Sequence, residues 1–322
     1  MADDLSTDVP PATHFVVFSA PLPAAALSAI RALASQSQRA DGSPPFSDQT
    51  LLSLPAHQSL YGVLALARDT DLADMQDEDL LGAVVVADSV LELTTHPAHR
   101  DQGIASTLLE TLRGAFSDDE LKTVDAWRHG SDSKADKFAI TYDFRPVREL
   151  WKMSVTADRS FPAPELADGI RLRTFQPGAD EQPWLELNAA AFADHPEQGK
   201  LTLEDLNARQ AEDWFDADGF FLAENASGDL VAFHWTKIVT PSSPEEPRVG
   251  EVYVVGVSPQ AQGQGLGLAL TLAGLEYLAQ KVDVIELYVD ADNIPAVGLY
   301  RKLGFERATV DVMYQHSSRA KN

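Results

Sequence analysis

Cysteine is absent from the 322 residues of the chain. Disulfide bonds, thiolate nucleophiles and cysteine-ligated zinc or iron–sulfur centres are therefore excluded. The eight histidines form no HExxH or similarly spaced pair, so we expect no metal cofactor. Long apolar runs are also missing. The longest, Leu80–Ala87, has eight residues, whereas a membrane-spanning helix needs about 20.

The N-terminal segment lacks the features of a secretion signal. Its sequence, MADDLSTDVPP, is acidic and has neither a basic start nor an apolar stretch. We therefore expect a cytoplasmic protein.

Basic residues are scarce, since 25 Lys and Arg stand against 49 Asp and Glu and leave a formal charge of −24. Nucleic acid, a polyanion, would have to approach against this field. The 44% apolar and 23% charged fractions are ordinary for a globular protein. We expect a monomer that binds small molecules and neither nucleic acid nor a membrane.

The two halves of the chain share a sequence frame. When the segment around Pro97 is aligned with the segment around Pro259, Gly103 falls on Gly265 at an offset of 162 residues. We interpret this as a duplicated domain, with residues 1–160 forming one copy and residues 161–322 the other. The joint is expected in residues 160–169, where two prolines and a glycine interrupt the pattern.

Hydrophobic periodicity gives the element order of the second half most clearly. Strands are predicted at 170–175, 220–224, 230–239, 251–257, 284–291 and 307–315, and helices at 181–192, 202–215, 265–280 and 295–304. The first half follows the same order less clearly. The fold class expected is α/β (α+β), with two domains that each have a mixed, mostly antiparallel sheet flanked by helices.

A glycine-rich turn, VSPQAQGQGLG at Val257–Gly267, connects a predicted strand to a helix. Such a turn directs backbone N–H groups at an anion, so a phosphate or pyrophosphate is the expected ligand. The Walker motif is absent, and Leu268 breaks the GxGxxG pattern. The pattern Q/R-x-x-G-x-G/A does fit, and it resembles the acetyl-CoA loop of the GNAT N-acetyltransferases. The alternative is an ordinary glycine-rich β–α turn.

Two residues of the second half are candidates for the proton transfers of an acetyltransferase. Glu251 begins a predicted strand whose alternation places residues 251, 253, 255 and 257 on one face, and its carboxylate could act as the base directly or through water. The alternative is an exposed acid at a strand end. Tyr300 could protonate the departing thiolate, although an aromatic residue on such a helix commonly belongs to the core. Ser89 and Ala139 align with these residues in the first half, which we therefore expect to perform no chemistry.

Four further segments extend the resemblance along nearly the full chain: residues 188–199 (NAAAFADHPEQG), 232–237 (AFHWTK), 250–267 and 287–305. Together they resemble the mycothiol synthase family of tandem GNAT proteins. The resemblance implies acetylation, with acetyl-CoA, of the cysteinyl amine of 1-D-myo-inositol 2-(L-cysteinylamino)-2-deoxy-α-D-glucopyranoside.

The resemblance also implies roles for individual residues. Those expected to contact acetyl-CoA in the second half are Val255, Gly256, Val257, Gln262, Gly263, Gln264, Gly265, Leu266, Gly267, Leu268, Asn293, Ile294, Pro295, Ala296, Val297 and Gly298. A second acetyl-CoA site in the first half would comprise Leu93, Thr94, Thr95, Asp101, Gln102, Gly103, Ile104, Ala105 and Ser106. The acceptor would be contacted by Asp48, Glu197, Lys237, Glu251 and Tyr288.

Alternatives remain for several of these residues. Glu197 could be a solvated loop acid, and Lys237 a strand-end lysine with its stem buried. Gln262 replaces the arginine usual at the start of the loop, which removes a charge from the phosphate contact. Two other functions stay open: a tandem GNAT protein acting on another small amine, and an acetyl-CoA-binding sensor without catalysis.

Overall fold

A computed structural model describes residues 9–10, 12–55, 60–116, 122–193, 198–241, 243 and 245–318. The chain divides into two compact units, one comprising Met1–Leu150 with Thr309–Asn322 and the other Trp151–Ala308. Within the described ranges, no helix has both the length and the apolar character that crossing a membrane requires.

The elements are numbered here in chain order. They are β1 (His14–Ser19), α1 (Ala24–Asp41), α2 (Asp48–Ser53), β2 (Tyr61–Leu66), β3 (Leu80–Ala87), β4 (Val90–Thr95), α3 (Ile104–Ala115), β5 (Asp125–Arg128), α4 (Ser133–Thr141), β6 (Phe144–Thr156), β7 (Arg171–Thr174), α5 (Glu181–Ala191), α6 (Leu203–Gln210), β8 (Phe220–Glu224), β9 (Leu230–Val239), β10 (Val249–Val257), α7 (Leu266–Ala279), β11 (Val284–Asp290), α8 (Ile294–Lys302) and β12 (Glu306–His316).

The sheet of the first unit has the order β1-β2-β3-β4-β5-β12. Neighbouring strands are antiparallel except β4 and β5, which are parallel. Helix α1 packs on one face through Ile30 and Leu33, and helix α3 packs on the other through Leu108 and Leu112. The all-apolar sequence of β3 follows from this arrangement, because both of its faces are covered and all eight of its residues are buried.

The second unit repeats the plan. Its sheet has the order β7-β8-β9-β10-β11, with β6 beside β11, and only β10 and β11 form a parallel pair among the registers found. Leu275 and Leu278 of helix α7 pack on one face of the sheet. On the other face, Trp184 of helix α5 packs against Trp235 of β9. The mixed sheet flanked by helices that the sequence predicts is confirmed in both units.

The closing strand of each unit comes from the other half of the sequence. Residues 309–316 of β12 complete the first unit, where Val312 pairs with Arg128 of β5. Residues 151–156 of β6 belong to the second unit, where Ala157 donates its N–H to the carbonyl of Asp283 just before β11. The compact units therefore differ from the expected ranges 1–160 and 161–322 because their last strands are exchanged.

The predicted start of helix α6 is confirmed, whereas the helix ends at Gln210 and not at the predicted residue 215. Thr202 caps helix α6, since its side chain accepts from the N–H of Asp205 and the Asp205 carboxylate accepts from the N–H of Thr202. This reciprocal capping box satisfies two N–H groups that a helix start otherwise leaves without partners.

Candidate active site

The glycine-rich turn has the backbone that an anion site needs. After β10 ends, Pro259–Ala261 form one 3₁₀ turn, and Gly263 and Gly265 then take φ of 79° and 77° before α7 begins. An added Cβ at either glycine would meet no described atom within 4 Å. Glycine is therefore favoured there by the left-handed conformation and not by crowding. Gly265 is the N-cap of α7, so no side chain caps the first N–H groups of that helix.

The first unit folds the corresponding turn in the same way. Asp101 and Gly103 have φ of 59° and 73°, matching Gly263 and Gly265 at the offset predicted from the sequence. The charges of this turn are engaged within the unit. Arg100 makes two bonds to Asp41, at 2.6 and 2.7 Å, and the Lys134 ammonium lies 2.7 Å from the Asp101 carboxylate.

A β-bulge corrects one prediction about β10. The register with β9 shifts between Val252 and Val254, so Tyr253 is an extra residue on β10. Glu251 and Tyr253 face the side covered by α5, whereas Val255 and Val257 pack on the α7 side. The expectation that residues 251, 253, 255 and 257 share a face is wrong, because an inserted residue reverses the alternation beyond it.

Strands β10 and β11 separate at this bulge. Among the described residues, they pair only at Val249–Val252 of β10. The next residues, Val254–Val257, continue towards the glycine-rich turn with their edge open on the β11 side. Gly256 stays bonded to β9 over the ring of Phe233, where an added Cβ would lie 2.4 Å from a ring carbon. The open edge offers backbone donors and acceptors to an extended, amide-containing ligand.

Glu251 lies in a row of charged residues. It stands opposite Lys237 of β9 and opposite Glu286 of β11 in the two registers. Lys237 is buried, and its ammonium lies 5.0 Å from the ring of Trp214 and 5.5 Å from the ring of Tyr253. These cation–π contacts fix the lysine. The alternative of a strand-end lysine reaching into water is therefore not found.

Tyr300 lies on helix α8, buried among apolar residues and edge to face with Phe305 at 5.8 Å. Its ring is thus part of the core, as the alternative interpretation expected. Burial raises the pKa of its phenol to about 12, so the hydroxyl keeps its proton at neutral pH. A protonated phenol is the form that can donate to a developing thiolate.

The start of helix α8 carries the other predicted cofactor positions. The side chain of Asn293 caps the helix by accepting from the N–H of Ala296 at 3.2 Å. Pro295 lies in the first turn, where its missing N–H costs nothing. Ile294 is 69% exposed, and an added Cβ at Gly298 would meet no described atom within 4 Å.

The remaining predicted acceptor residues are placed as follows. Tyr288 lies on β11, two positions after Glu286 and therefore on the same face, and is 39% exposed. Asp48 is the exposed first residue of α2 in the first unit, and Ser47 caps that helix. Glu197 lies outside the described residues.

The first unit lacks the strand extension that carries Glu251. The aligned residue, Ser89, has a φ of 65° and follows Asp88 with a φ of 51°, so both belong to the tight turn between β3 and β4. Ala139 of α4 aligns with Tyr300 and carries no ionisable group. The first unit therefore has no carboxylate or phenol at these two positions.

The first unit also contains a buried charged cluster that the sequence did not indicate. The ring nitrogens of His129 lie 2.8 Å from Glu92 and 2.9 Å from Asp311. Because both neighbours are carboxylates, both nitrogens carry protons and the ring is an imidazolium. Burial alone would lower the pKa of His129, but the hydrogen bonds and charges of the two carboxylates outweigh it and raise that pKa to about 9. Glu92 also accepts from the N–H of Ser47 and so anchors the start of α2.

No local signal could have revealed this cluster, because its partners lie 37 and 182 residues from His129. The carboxylates approach opposite sides of the ring, so the three side chains share no point for a cation. Within the described residues, no group of His, Asp and Glu is placed to hold a metal ion.

Replacing His129 by glutamine is expected to destabilise the first unit by about 3 kcal/mol, the usual cost of removing one partner from a buried ion pair. In the parent protein this stabilisation is complete below pH 6.5 and is lost as the pH rises through about 9, because the folded-state pKa is raised. Denaturant midpoints at pH 6, 7.5 and 9.5 test both statements. His14→Gln, on the exposed side of β1, is the control. Equal midpoints for the His129 variant and the parent at pH 6 would contradict the assignment.

The fold and the site define a class of protein. Residues 184–305 match the Acetyltransferase (GNAT) family. A GCN5-related N-acetyltransferase from Sphaerobacter thermophilus superposes with a TM-score of 0.64 at 26% identity, covering 93% of this chain and 94% of that one. A tandem GNAT protein from the clavulanic acid biosynthesis pathway gives 0.66 at 19% identity, covering 94% and 97%, and supports the fold alone. The chain is an N-acetyltransferase of the GNAT class.

Relatives narrow the class further. The chain is 48% identical to the mycothiol acetyltransferase of Paenarthrobacter aurescens, covering 88% of this chain and 90% of that one. It is also 48% identical to the mycothiol acetyltransferase of Thermobispora bispora, covering 89% and 95%. The chain therefore belongs to the mycothiol acetyltransferase family.

Proposed function

We propose that the chain transfers the acetyl group of acetyl-CoA to the cysteinyl amine of 1-D-myo-inositol 2-(L-cysteinylamino)-2-deoxy-α-D-glucopyranoside, which gives mycothiol. One observation supports this chemistry most directly. Strand β10 carries the carboxylate of Glu251, separates from β11 and continues into the glycine-rich turn before α7. The relatives named above support the choice of acceptor.

Acetyl-CoA binds along this strand and turn. The backbone of Val255–Val257 bonds the amides of the pantetheine arm at the open edge. Residues 262–268 direct their N–H groups at the pyrophosphate, where the positive end of the α7 dipole adds to the attraction. Residues 293–298 lie against the far end of the cofactor. In this proposed binding mode the thioester lies where β10 and β11 separate.

The second unit carries out the proton transfers. Glu251 takes a proton from the acceptor ammonium, directly or through one water, and the freed nitrogen attacks the thioester carbonyl. The new C–N bond forms as the C–S bond breaks. Tyr300 then donates its proton to the departing thiolate. Because the pKa of that phenol is about 12, it is fully protonated when the thiolate forms.

Polar side chains of the second unit hold the acceptor. Lys237 and Tyr288 hydrogen-bond the hydroxyls of the pseudodisaccharide, and Glu197 adds negative charge that favours its ammonium group. The first unit performs no chemistry. Residues 93–95 and 101–106 of the first unit bind a second acetyl-CoA more weakly than the second unit binds the first. The reason is that Arg100, at the start of this turn, is bonded to Asp41 and is not available to the pyrophosphate.

Mass spectrometry tests the proposed reaction most directly. The protein is mixed with acetyl-CoA and the cysteinyl pseudodisaccharide, and one acetyl group is expected on nitrogen. Simple polyamines and amino sugars are assayed in parallel. Faster turnover of one of these would indicate a tandem GNAT enzyme for another amine. A stoichiometric acetyl-CoA complex without turnover of any amine would indicate a sensor.

Gly263→Asp is expected to raise the KM for acetyl-CoA roughly tenfold, because a carboxylate then faces the pyrophosphate at a cost of about 1.4 kcal/mol. The backbone tolerates this change, since Asp101 takes the same conformation in the first unit. Gly263→Asn, which is uncharged and also adopts positive φ, should change that KM less than about threefold. Steady-state kinetics at low and high salt distinguish the two variants. Equal increases in KM for the Asp and Asn variants would exclude a charge effect and would show that the pyrophosphate does not bind at this turn.

A further inference from the structure

The row of charged residues through Glu251 includes two residues that the family resemblance does not assign to the acceptor site. It crosses four strands in the order Lys237 on β9, Glu251 on β10, Glu286 on β11 and Lys152 on β6. The last two residues form an ion pair of 2.7 Å, with about a quarter of the lysine and a fifth of the glutamate side chain exposed. Neither of them has a role in the mechanism above.

All four side chains lie on one face of the sheet. On β11, Ile285 and Leu287 point the other way and are fully buried against α7, so Glu286 faces the side of Glu251. Lys152 contacts Glu286 and therefore shares this face, while its neighbour Met153 is buried in the same core as Ile285. Tyr288 is the next residue of β11 on the exposed face. The row thus lies on the surface that carries the acceptor residues.

The signs along the row are positive, negative, negative, positive. Two carboxylates directly opposite each other on neighbouring strands repel, and such a pair destabilises a sheet. Lys237 lies on the outer side of Glu251 and Lys152 on the outer side of Glu286, so the two carboxylates face each other in the middle of the row. A cation placed over the two carboxylates would remove their repulsion. The reaction supplies such a cation, because the acceptor amine arrives as an ammonium.

We infer that Glu286 is a second carboxylate contact of the acceptor ammonium, beside Glu251. This inference rests on the proposed function. Glu251 receives the proton, whereas Glu286, held by Lys152, retains the amine during the transfer. The pair selects acceptors whose nitrogen is cationic, and it releases the product readily because an amide nitrogen carries no charge.

Glu286→Gln is expected to raise the KM for the cysteinyl pseudodisaccharide about tenfold or more, the loss of one charge-assisted contact. The KM for acetyl-CoA should change less than twofold. Inhibition by the acetylated product should also be unchanged, because the product lacks the ammonium. Glu286→Asp, which keeps the charge, should recover part of the affinity. Glu276→Gln, an exposed acid on α7 with the same charge change, is the matched control.

A purely structural role for the ion pair predicts a different pattern. Lys152→Met would then reproduce every effect of Glu286→Gln, including a lower melting temperature and equal losses for acceptor, product and acetyl-CoA. That pattern, or an unchanged acceptor KM in Glu286→Gln, overturns the inference while the parent enzyme still turns over. If the parent enzyme does not acetylate the pseudodisaccharide, the proposed function and this inference both fail.

Discussion

Glu251→Gln is expected to lower kcat about 10²- to 10⁴-fold at neutral pH, the range usual for a general base. Glutamine keeps the size of the side chain and its place opposite Lys237, but it cannot accept a proton from the ammonium. The KM for acetyl-CoA should stay within about twofold, because beyond the bulge at Tyr253 the proposed cofactor-binding residues Val255 and Val257 lie on the other face of the sheet.

The pH dependence distinguishes a lost base from a disturbed site. Without Glu251, the variant depends on substrate that has already lost its proton, so kcat/KM should rise with pH up to about 8, the ordinary pKa of an α-amino group. A variant that stays equally slow at pH 9 would point to misplacement of the substrate. Full activity of the variant at pH 7 would exclude Glu251 as the base.

Tyr300→Phe is expected to lower kcat on the order of 10²-fold by removing the proton donor for the thiolate. Phenylalanine preserves the buried ring and its edge-to-face contact with Phe305, so the fold should be intact. Thermal unfolding provides this check, and a melting temperature within a few degrees of the parent is required.

A second tyrosine, Tyr277, which packs against the same core as Tyr300, supplies the control. Tyr277→Phe removes a phenol that hydrogen-bonds Asp216 on the α7 side of the same unit. It should leave kcat within about threefold, because a general acid acts only when it reaches the reacting atoms. Equal losses of activity in the two variants would mean that Tyr300 contributes to packing alone.

Sequence patterns predicted those parts of the site whose causes are local. The glycines at positions 263 and 265 could be recognised because positive φ leaves few other residues acceptable. The strands around Lys237 and Glu251 were predicted from apolar runs of the right length. The capping side chain of Thr202 was also recognisable, since its partner lies three residues away.

Features that depend on distant partners could not be predicted. The bulge at Tyr253 arises where its ring packs against Trp214 and Trp235, and a simple alternation of faces cannot anticipate it. The pairing of Glu251 with Glu286 requires the register of two strands separated by helix α7. Glu286 did carry one signal, because it lies two residues before Tyr288 on an alternating strand.

The exchange of closing strands has a consequence for biosynthesis. Residues 1–150 emerge from the ribosome long before residues 309–316. The first unit nevertheless needs residues 309–316 as its sixth strand. The edge of β5 therefore stays without its final neighbour until residues 309–316 have been synthesised, and an exposed strand edge invites aggregation. The second unit has no such delay, because its borrowed strand, residues 151–156, is already made when its own sequence begins. The unit whose sequence begins first is thus the unit that is completed last.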